Sequence, residues 1–589
     1  MSIQTVNDIF YTVVERNAPQ VMLYNQTIKW IPMSSKDIYR DAVGVSKALL
    51  EWGIRKGDRV AILSENRPEW AMADFGSALI GAVTVPIYPT LTAEQTAALL
   101  NDSGARVIFL STADQLKKYL AIRSQVRIEK AVVMDYIGIT EGIPMHRLMH
   151  MGPTQRDPEF DAQARTLAAH DLATIMYTSG TTGRQKGVML THGNLASNVL
   201  VSMQEFGLGS GDSAVSYLPL SHITARHVDY SLLYNGITIA YCPDMAKLPE
   251  VLLEIKPTFF VAVPRVYEKI RQRAIAGNSH GTRKAVFDWA LNVGKRHVNA
   301  IMAGKRPASL NWKLADKLVY SKVRAGMGGR VRVYSSGGAP LSRELAEWFL
   351  WVGIRIGEGY GLTETSPVIA RNTPLTYRLG TVGKIVSNLE VKIAEDGEIL
   401  AKGPSIFTGY WNLPEETQNA FIDGFFKTGD IGSLDADGFL SVTDRKKELI
   451  KTSGGKFVAP QPIEGKLKSH NLVAEAVVVG DRHKFPAVLI VPDFARLEPW
   501  AGENDIPACA REVLIENPKV QAAFEKIVGD ANQDLAQFEK IKRFLLLTEE
   551  FSIANGSLTP TMKLRRKVVE ERYKDKIESL YSEEEAAAK

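Results

Sequence analysis

The segment Tyr177-Thr-Ser-Gly-Thr-Thr-Gly-Arg-Gln-Lys-Gly187 gathers hydroxyls, glycines and a lysine within ten positions after a strand pattern. Thr178, Ser179, Thr181 and Thr182 supply hydroxyl donors, Gly180 and Gly183 let backbone N–H groups come close to an anion, and Lys186 adds a positive charge. That set suits phosphate oxygens; the plainer alternative is a polar surface loop. It is not a Walker A loop. Aligning Gly180 and Lys186 to that pattern puts Gln185 where glycine is required and Gly187 where Ser or Thr should meet magnesium. A second glycine-rich stretch, Gly357-Glu-Gly-Tyr-Gly-Leu362, reads as a loop after a strand over 353–356. Leu362 stands where the dinucleotide fingerprint has its third glycine, which disfavours a nicotinamide enzyme.

Other chemistries find less support. The chain has no G-x-S-x-G elbow and no H-E-x-x-H. Its 10 histidines include no ligand-spaced pair on a plausible helix, His222 and His227 being five apart. Two cysteines, Cys242 and Cys509, cannot build a disulfide framework or a Cys-rich zinc site, and they fit a reducing compartment.

The elements that must hold these loops alternate. Residues 35–52 have helical spacing, 59–63 read as a buried strand, 69–80 as a helix, 82–85 as a strand, 93–101 as a helix and 105–110 as a strand. Such alternation predicts an α/β fold of mostly parallel sheets with flanking helices. Residues 151–168 read as a loop, and strands follow at 173–177, 259–263 and 331–334. Residues 265–330 are mostly helical and rich in Lys and Arg. From 380 to 443 short strands with Gly-Asp and Asp-Gly turns predict a small β-rich subdomain. After Asp444 the pattern becomes a compact α+β unit with strands at 474–479 and 487–491, and 583–589 read as a frayed tail. The expected division is 1–443 and a smaller C-terminal domain, 444–589.

The chain has 589 residues, with 45% hydrophobic, 23% charged and 8% aromatic residues, a globular composition that excludes chronic disorder. A length near ~150 residues per domain leaves room for two to four domains. The formal charge of +5 over this length is weak for a polyanion binder, so no nucleic-acid partner is expected. The N-terminus has no basic n-region or apolar h-region, and no apolar run reaches ~18 residues, so neither a signal peptide nor a spanning helix is expected. The expected setting is cytoplasmic, open to peripheral contact with a membrane. Two basic stretches bear on that contact: residues 265–330, and the cations Arg565, Arg566, Lys567, Arg572, Lys574 and Lys576. The competing reading of the latter is a solvated helix with Glu570 and Glu571 as partners.

Further segments complete a series. After 177–187 come Tyr334-Ser-Ser-Gly-Gly-Ala-Pro340, Gly359-Tyr-Gly-Leu-Thr-Glu-Thr365, Lys427-Thr-Gly-Asp430, Asp444-Arg-Lys-Lys447 and Leu558-Thr-Pro-Thr-Met-Lys563. In this order and spacing the series resembles the acyl-activating, adenylate-forming enzymes over essentially the whole chain. Tyr217-Leu-Pro-Leu-Ser-His-Ile-Thr-Ala-Arg226, Val263-Pro-Arg-Val-Tyr-Glu-Lys269, Val458-Ala-Pro-Gln-Pro-Ile-Glu464 and Thr559-Pro-Thr-Met-Lys-Leu-Arg-Arg566 are similar to long-chain fatty acyl-CoA synthetases. Ala225 departs from that pattern, which usually has Glu there.

The resemblance implies a reaction in two halves. A fatty carboxylate attacks the α-phosphorus of ATP and expels pyrophosphate, and the CoA thiol then takes the acyl group from acyl-AMP. A carboxyl with a pKa near ~4 is already ionised at neutral pH, so the first half needs cations and donors more than a base. The resemblance assigns 178–186 to the β- and γ-phosphates, Thr363 to the α-phosphate, and Glu364, with Thr178, to Mg²⁺. Gly338, Ala339, Gly359, Tyr360 and Gly361 would frame the adenine, and Asp430 and Arg445 would meet the ribose. Lys563 would bridge carboxylate and α-phosphate, and His222 would lie near the acyl and AMP site. Asp444 matches a hinge about which the C-terminal domain rotates between the halves, bringing Gly454, Gly455 and Lys456 to a pantetheine channel.

ATP, Mg²⁺ and coenzyme A are thus the implied cofactors, a fatty acid the substrate, and monomer or homodimer the open oligomeric states. An alternative shares the first half but delivers the acyl group to a separate carrier protein, since no Gly-Gly-x-Ser carrier motif follows in the chain. A non-catalytic nucleotide- or lipid-binding relative would be expected to lack Lys563 or Glu364, and the sequence has both.

Overall fold

The computed structural model describes residues 3–26, 29–135, 141–179, 185–278, 280–552, 554–559 and 564–587. Two large sheets organise the first three quarters of the chain. The larger, of 14 strands, sets Met22–Gln26, Thr238–Tyr241, Ser213–Ser216, Phe259–Ala262, Val333–Ser336 and Ile356–Gly361 side by side, all parallel. It then continues antiparallel through Val368–Arg371, Gly383–Ile385, Phe439–Arg445 and Phe425–Leu434. The β-rich stretch is therefore an extension of this sheet by hydrogen bonding. The second sheet, of eight strands, has a parallel core of Val83–Ile87, Arg59–Leu63 and Val107–Leu110, with Leu172–Ser179 beside Val83–Ile87. Gln185–Thr191 pairs antiparallel with Leu172–Ser179, and Gly409–Tyr410 closes that edge.

Helices pack against both sheets, and their ends follow local chemistry. Ser34 and Asp37 form a reciprocal capping box on Ser35–Glu51. Thr191 and Asn194 do the same for His192–Ser202, so the hairpin strand passes directly into a helix. That helix ties the sheets together. Asn194 donates to the carbonyls of Pro404 and Ile406, while Asn198 donates to Val368 O and accepts from Val368 N. The helix Ile223–Tyr234 carries Arg226, which is 2% exposed. Its guanidinium meets Asp74 in a bidentate pair at 2.9 and 2.5 Å and donates to Thr174 and Thr84 at 2.8 Å and to Tyr230 at 3.0 Å.

Residues 473–492 show the period of two in the C-terminal unit. Ala476, Val478, Val488 and Ile490 face the helices Pro460–Lys468, Phe494–Glu503 and Pro518–Asn532. Val477, Val479, Leu489 and Val491 face Arg566–Arg572 and Lys574–Ala587. Arg543–Leu546 completes this three-stranded sheet, giving the α+β unit that the sequence predicts.

Three expectations differ from the structure. Residues 151–168 are not all loop: Pro158–Ala164 is a helix, capped by Asp157 and burying Phe160 and Ala164. Two apolar residues four apart are too short a signal for a period. The stretch 583–589 is not a free tail, since its described part continues the helix Lys574–Ala587, which Ile577 and Tyr581 anchor to the sheet. Finally, Gly357–Gly361 belong to the strand Ile356–Gly361 and form no loop. A Cβ on Gly361 would lie 1.7 Å from Pro367 O, so the glycine permits a close strand approach.

Removing one partner of the buried Arg226–Asp74 pair leaves an uncompensated charge. Arg226→Ala should cost about 3–5 kcal/mol in denaturant-unfolding experiments. A second buried acid sets a pH dependence. Asp229 accepts from Ser216 at 3.0 Å, and burial pushes its carboxyl up to about 7 from the usual 3.8. The folded state therefore holds a proton that the unfolded chain releases, and this stability is lost as pH rises from about 4 through about 7. Asp229→Asn should flatten that part of the stability–pH curve.

Candidate active site

The parallel strands Ser213–Ser216, Phe259–Ala262, Val333–Ser336 and Ile356–Gly361 point their carboxyl ends the same way. The segments that leave them carry His222, Pro264, Gly338 and Thr363. The carboxyl edge of such a sheet is where open α/β folds place ligands.

Two polar groupings involve the segments around Tyr360 and Thr363. In the first, Asp430 and Arg445 are direct cross-strand partners, and Arg445 Nε lies 2.8 Å from Asp430 Oδ1. Tyr360 donates its hydroxyl to Asp430 Oδ2 at 2.7 Å. Burial, and then the Asp430 carboxylate, raises the Tyr360 phenol far above its ordinary value, so it stays a neutral donor. Burial acts to lower Arg445, but the charges of Asp430 and its acidic neighbours outweigh it and hold the guanidinium protonated.

The second grouping lies on the hairpin edge. Thr178 and Lys186 are cross-strand partners, and Lys186 Nζ stands 4.9 Å from the ring centre of Tyr410. Tyr410 donates to Glu364 Oε1 at 2.9 Å. Glu364 sits in the short 3₁₀ turn Thr363–Thr365, whose carbonyl at 364 accepts from Phe407 N at 2.8 Å. Tyr410 thus joins a cation on one sheet to a carboxylate on the other. Arg445 also feels the Glu364 charge, which links the two groupings electrostatically. Among the described residues no group of three or more His, Cys, Asp or Glu could hold a metal ion. A magnesium ion here would rest on Glu364 with Thr178 and keep most of its waters.

Gly338 has φ +80°, in the left-handed region, and Ala339 beside it is exposed. The Cβ position of Gly337 lies 3.5 Å from Gly359 O, so this loop runs against the Tyr360 strand. His222 is the N-cap of Ile223–Tyr234, and its ring nitrogen Nδ1 accepts from Thr224 N at 3.2 Å. The neutral ring therefore carries its proton on Nε2.

Asp444 lies next to Arg445 and is buried. Its carboxylate accepts from Arg445 N at 2.7 Å and from Gln461 N at 3.0 Å, so it caps the helix Pro460–Lys468 from across the junction. Burial pushes it up to about 7 against those two N–H groups. Gly454, Gly455 and Lys456 are not brought to either grouping. They form the exposed tip of the hairpin Ile450–Lys451 with Phe457–Val458, held by Ser453 N donating to His483 O at 2.8 Å. Gly180, Thr181, Thr182, Gly183 and Lys563 lie outside the described residues, and of Ser179 only the backbone is described, as the end of its strand.

Sequence reasoning missed Tyr410 and the Arg226–Asp74 pair. Tyr410 follows Gly409 in a two-residue strand with no local pattern, and only its position at the sheet edge brings it to Glu364. Asp74 sits in an apolar helix where a lone acid carries no signal of its partner.

Comparison with known proteins follows this geometry. Solved structures share the fold: an anthranilate CoA ligase bound to anthranoyl-AMP aligns with a TM-score of 0.73 at 22% identity, over 96% of this chain and 97% of its own. The adenylation domain of a carboxylate reductase from Mycobacterium chelonae also gives 0.73, at 23% identity over 98% and 91%. The family of AMP-binding enzymes matches residues 12–411, and its C-terminal domain matches 447–585. This chain belongs to the AMP-binding enzyme family. Among its relatives are the long-chain-fatty-acid–CoA ligase FadD15 of Mycobacterium bovis, 37% identical over 97% of this chain and 96% of the relative, and ACSBG1 of Homo sapiens, a long-chain-fatty-acid–CoA ligase 33% identical over 98% and 86%.

The close approach at Gly361 gives a steric test. Gly361→Ala should destabilise the fold by roughly 1–3 kcal/mol or more, because backbone has to shift to admit the methyl group. A melting curve beside Gly359→Ala checks it, since the nearest atoms to a Cβ on Gly359 lie 3.9 Å away.

Proposed function

We propose that this chain activates long-chain fatty acids with ATP and transfers them to coenzyme A. The observation that carries this reading is the pair of polar groupings, Lys186–Tyr410–Glu364 and Tyr360–Asp430–Arg445, linked by the charge of Glu364 on Arg445, in a chain whose relatives are named long-chain-fatty-acid–CoA ligases. The carboxylate oxygen attacks the α-phosphorus, the bond to the bridging oxygen breaks, and pyrophosphate leaves. The CoA sulfur then attacks the acyl carbonyl, AMP leaves, and the thiol proton passes to solvent.

Each residue has a physical part. The segment Thr178, Ser179, Gly180, Thr181, Thr182 and Gly183, with Lys186, would cradle the β- and γ-phosphates. Thr363 donates to the α-phosphate. Glu364, with Thr178, holds Mg²⁺, which when bound neutralises phosphate charge. Gly338, Ala339 and Gly359 leave room for a flat base beside Tyr360, and Gly361 holds that strand close against Pro367. Asp430 accepts from the ribose hydroxyls, and Arg445, paired with Asp430, donates to them. His222 walls the acyl and AMP site. Lys563 offsets the repulsion between carboxylate and α-phosphate, an electrostatic part that needs no proton transfer.

Two domains serve the two halves: 1–443 for adenylation, with 380–443 as its β-rich part, and 444–589 as a mobile unit hinged at Asp444. Rotation would exchange Lys563 for the hairpin tip at Gly454, Gly455 and Lys456, beside which the pantetheine arm of CoA would pass. The exposed state of that tip supports a second arrangement, because a channel wall has to be covered during transfer. We take the protein to work in the cytoplasm, as monomer or homodimer, and to meet membranes peripherally. Its two free cysteines agree with a reducing compartment.

A mass-spectrometric assay with ATP, Mg²⁺ and acids from short to very long, with and without CoA, tests the reading. Acyl-CoA and AMP should form most with long chains. Lys563→Ala should lower acyl-AMP formation about 10²–10³-fold, the scale for losing one transition-state donor. Acyl-AMP accumulating despite CoA would instead identify a ligase that serves a separate carrier protein. Neither product with any acid would overturn the assignment.

A further inference from the structure

Residues 281–330 form a helical layer against the larger sheet, and this stretch holds 11 Lys and Arg against two acids. Both acids are already neutralised: Asp288 pairs with Lys284 at 2.5 Å, and Asp316 pairs with Arg306 at 2.7 Å and Arg324 at 2.5 Å. Lys313, Lys317 and Lys322 are exposed and make no ion pair among the described residues.

The same surface carries a run of exposed leucines. Leu310 is 82% exposed, Leu314 49% and Leu318 37%. They recur every four residues along Leu310–Ala315 and its continuation Asp316–Tyr320, so they share one face. The opposite face needs no help from them, because Trp312, Ala315, Val319 and Tyr320 are buried in the core with Phe287 and Val293. Three neighbouring leucines left in water beside unpaired lysines are not explained by the folded chain alone.

We propose that this face docks on a lipid bilayer containing anionic headgroups. Leu310, Leu314 and Leu318 enter the headgroup–acyl boundary, while Lys313, Lys317 and Lys322 meet the lipid phosphates. Charge selects this occupant over others. A second copy of the chain would bring two strongly cationic layers together. A nucleic acid would satisfy the lysines and leave the leucines against a polar backbone. The C-terminal basic stretch is partly spent within the fold, since Arg566 is buried against Glu464 at 2.7 Å and Arg572 meets Glu549 at 3.2 Å, and among the described residues none of the exposed large apolar ones lies in it. The inference specifies the peripheral membrane contact in the functional reading, yet it uses no residue of the adenylation site.

Vesicle flotation of the full chain, without ATP or CoA, tests it apart from catalysis. Binding should be strong to phosphatidylcholine vesicles doped with phosphatidylglycerol, weak to phosphatidylcholine alone, and reduced by salt. Each lysine reversed among Lys313→Glu, Lys317→Glu and Lys322→Glu should lower partitioning about fivefold or more. The triple variant Leu310→Ser, Leu314→Ser and Leu318→Ser should abolish flotation while keeping the melting temperature and turnover of detergent-dispersed substrate. Arg572→Glu should leave flotation unchanged. The proposal is overturned if anionic vesicles do not float the wild-type chain, or if they float the leucine and lysine variants equally well. It is also overturned if the leucine variant acts by converting a dimer to a monomer in sedimentation.

Discussion

The guanidinium of Arg226 is the constraint on which the rest of the structure depends. It has five N–H donors in a fixed plane and sits where water cannot reach it. Only a dense set of acceptors makes such burial tolerable, and Asp74, Thr84, Thr174 and Tyr230 take bonds from all three of its nitrogens. These partners come from a helix, from two neighbouring strands of the second sheet, and from the helix of Arg226 itself. Thr174 lies on the strand that leads into the hydroxyl-rich hairpin, and Arg226 lies one turn after His222. One ion therefore relates the helix beneath the proposed acyl end to the strand beneath the proposed phosphate end.

Asn198 makes a second tie of the same logic. Its side-chain amide mimics a strand by donating to and accepting from Val368, which neighbours the Tyr360 strand. The helix bearing it starts where the hydroxyl-rich hairpin stops. Tyr410 is then able to span from Lys186 to Glu364 because both sides are already fixed. Chemistry based on charge needs such stiffness, since a donor misplaced by an ångström stabilises a transition state far less. At Asp444 one buried carboxylate accepts from two N–H groups, tying the end of the strand Phe439–Arg445 to the helix Pro460–Lys468.

Much of this was legible in the sequence. The strand pattern at 59–63, the helix at 35–52 and the alternation at 474–491 became elements within a few residues of the expected bounds. The order of the glycine-rich and basic segments pointed to the family before any geometry, and Asp430 and Arg445 proved to be cross-strand partners. Misreadings arose where glycine serves packing: Gly357 and Gly361 punctuate the sequence as a loop would, yet each lets strands approach inside a sheet.

By itself the sequence determined what is local: periodicity, caps, the run of hydroxyls and glycines, and the basic excess of 265–330. These depend on neighbours a few residues away, so the chain carries them openly. Only the tertiary structure decided the long-range pairs. Arg226 with Asp74, Tyr410 with Glu364 and Arg566 with Glu464 join residues separated by 152, 46 and 102 positions. It also decided which cations remain free. Arg566 and Lys317 look alike in the sequence, but one is folded into a carboxylate and the other faces solvent beside a leucine. Burial sets that difference, and burial is a property of the whole packed chain.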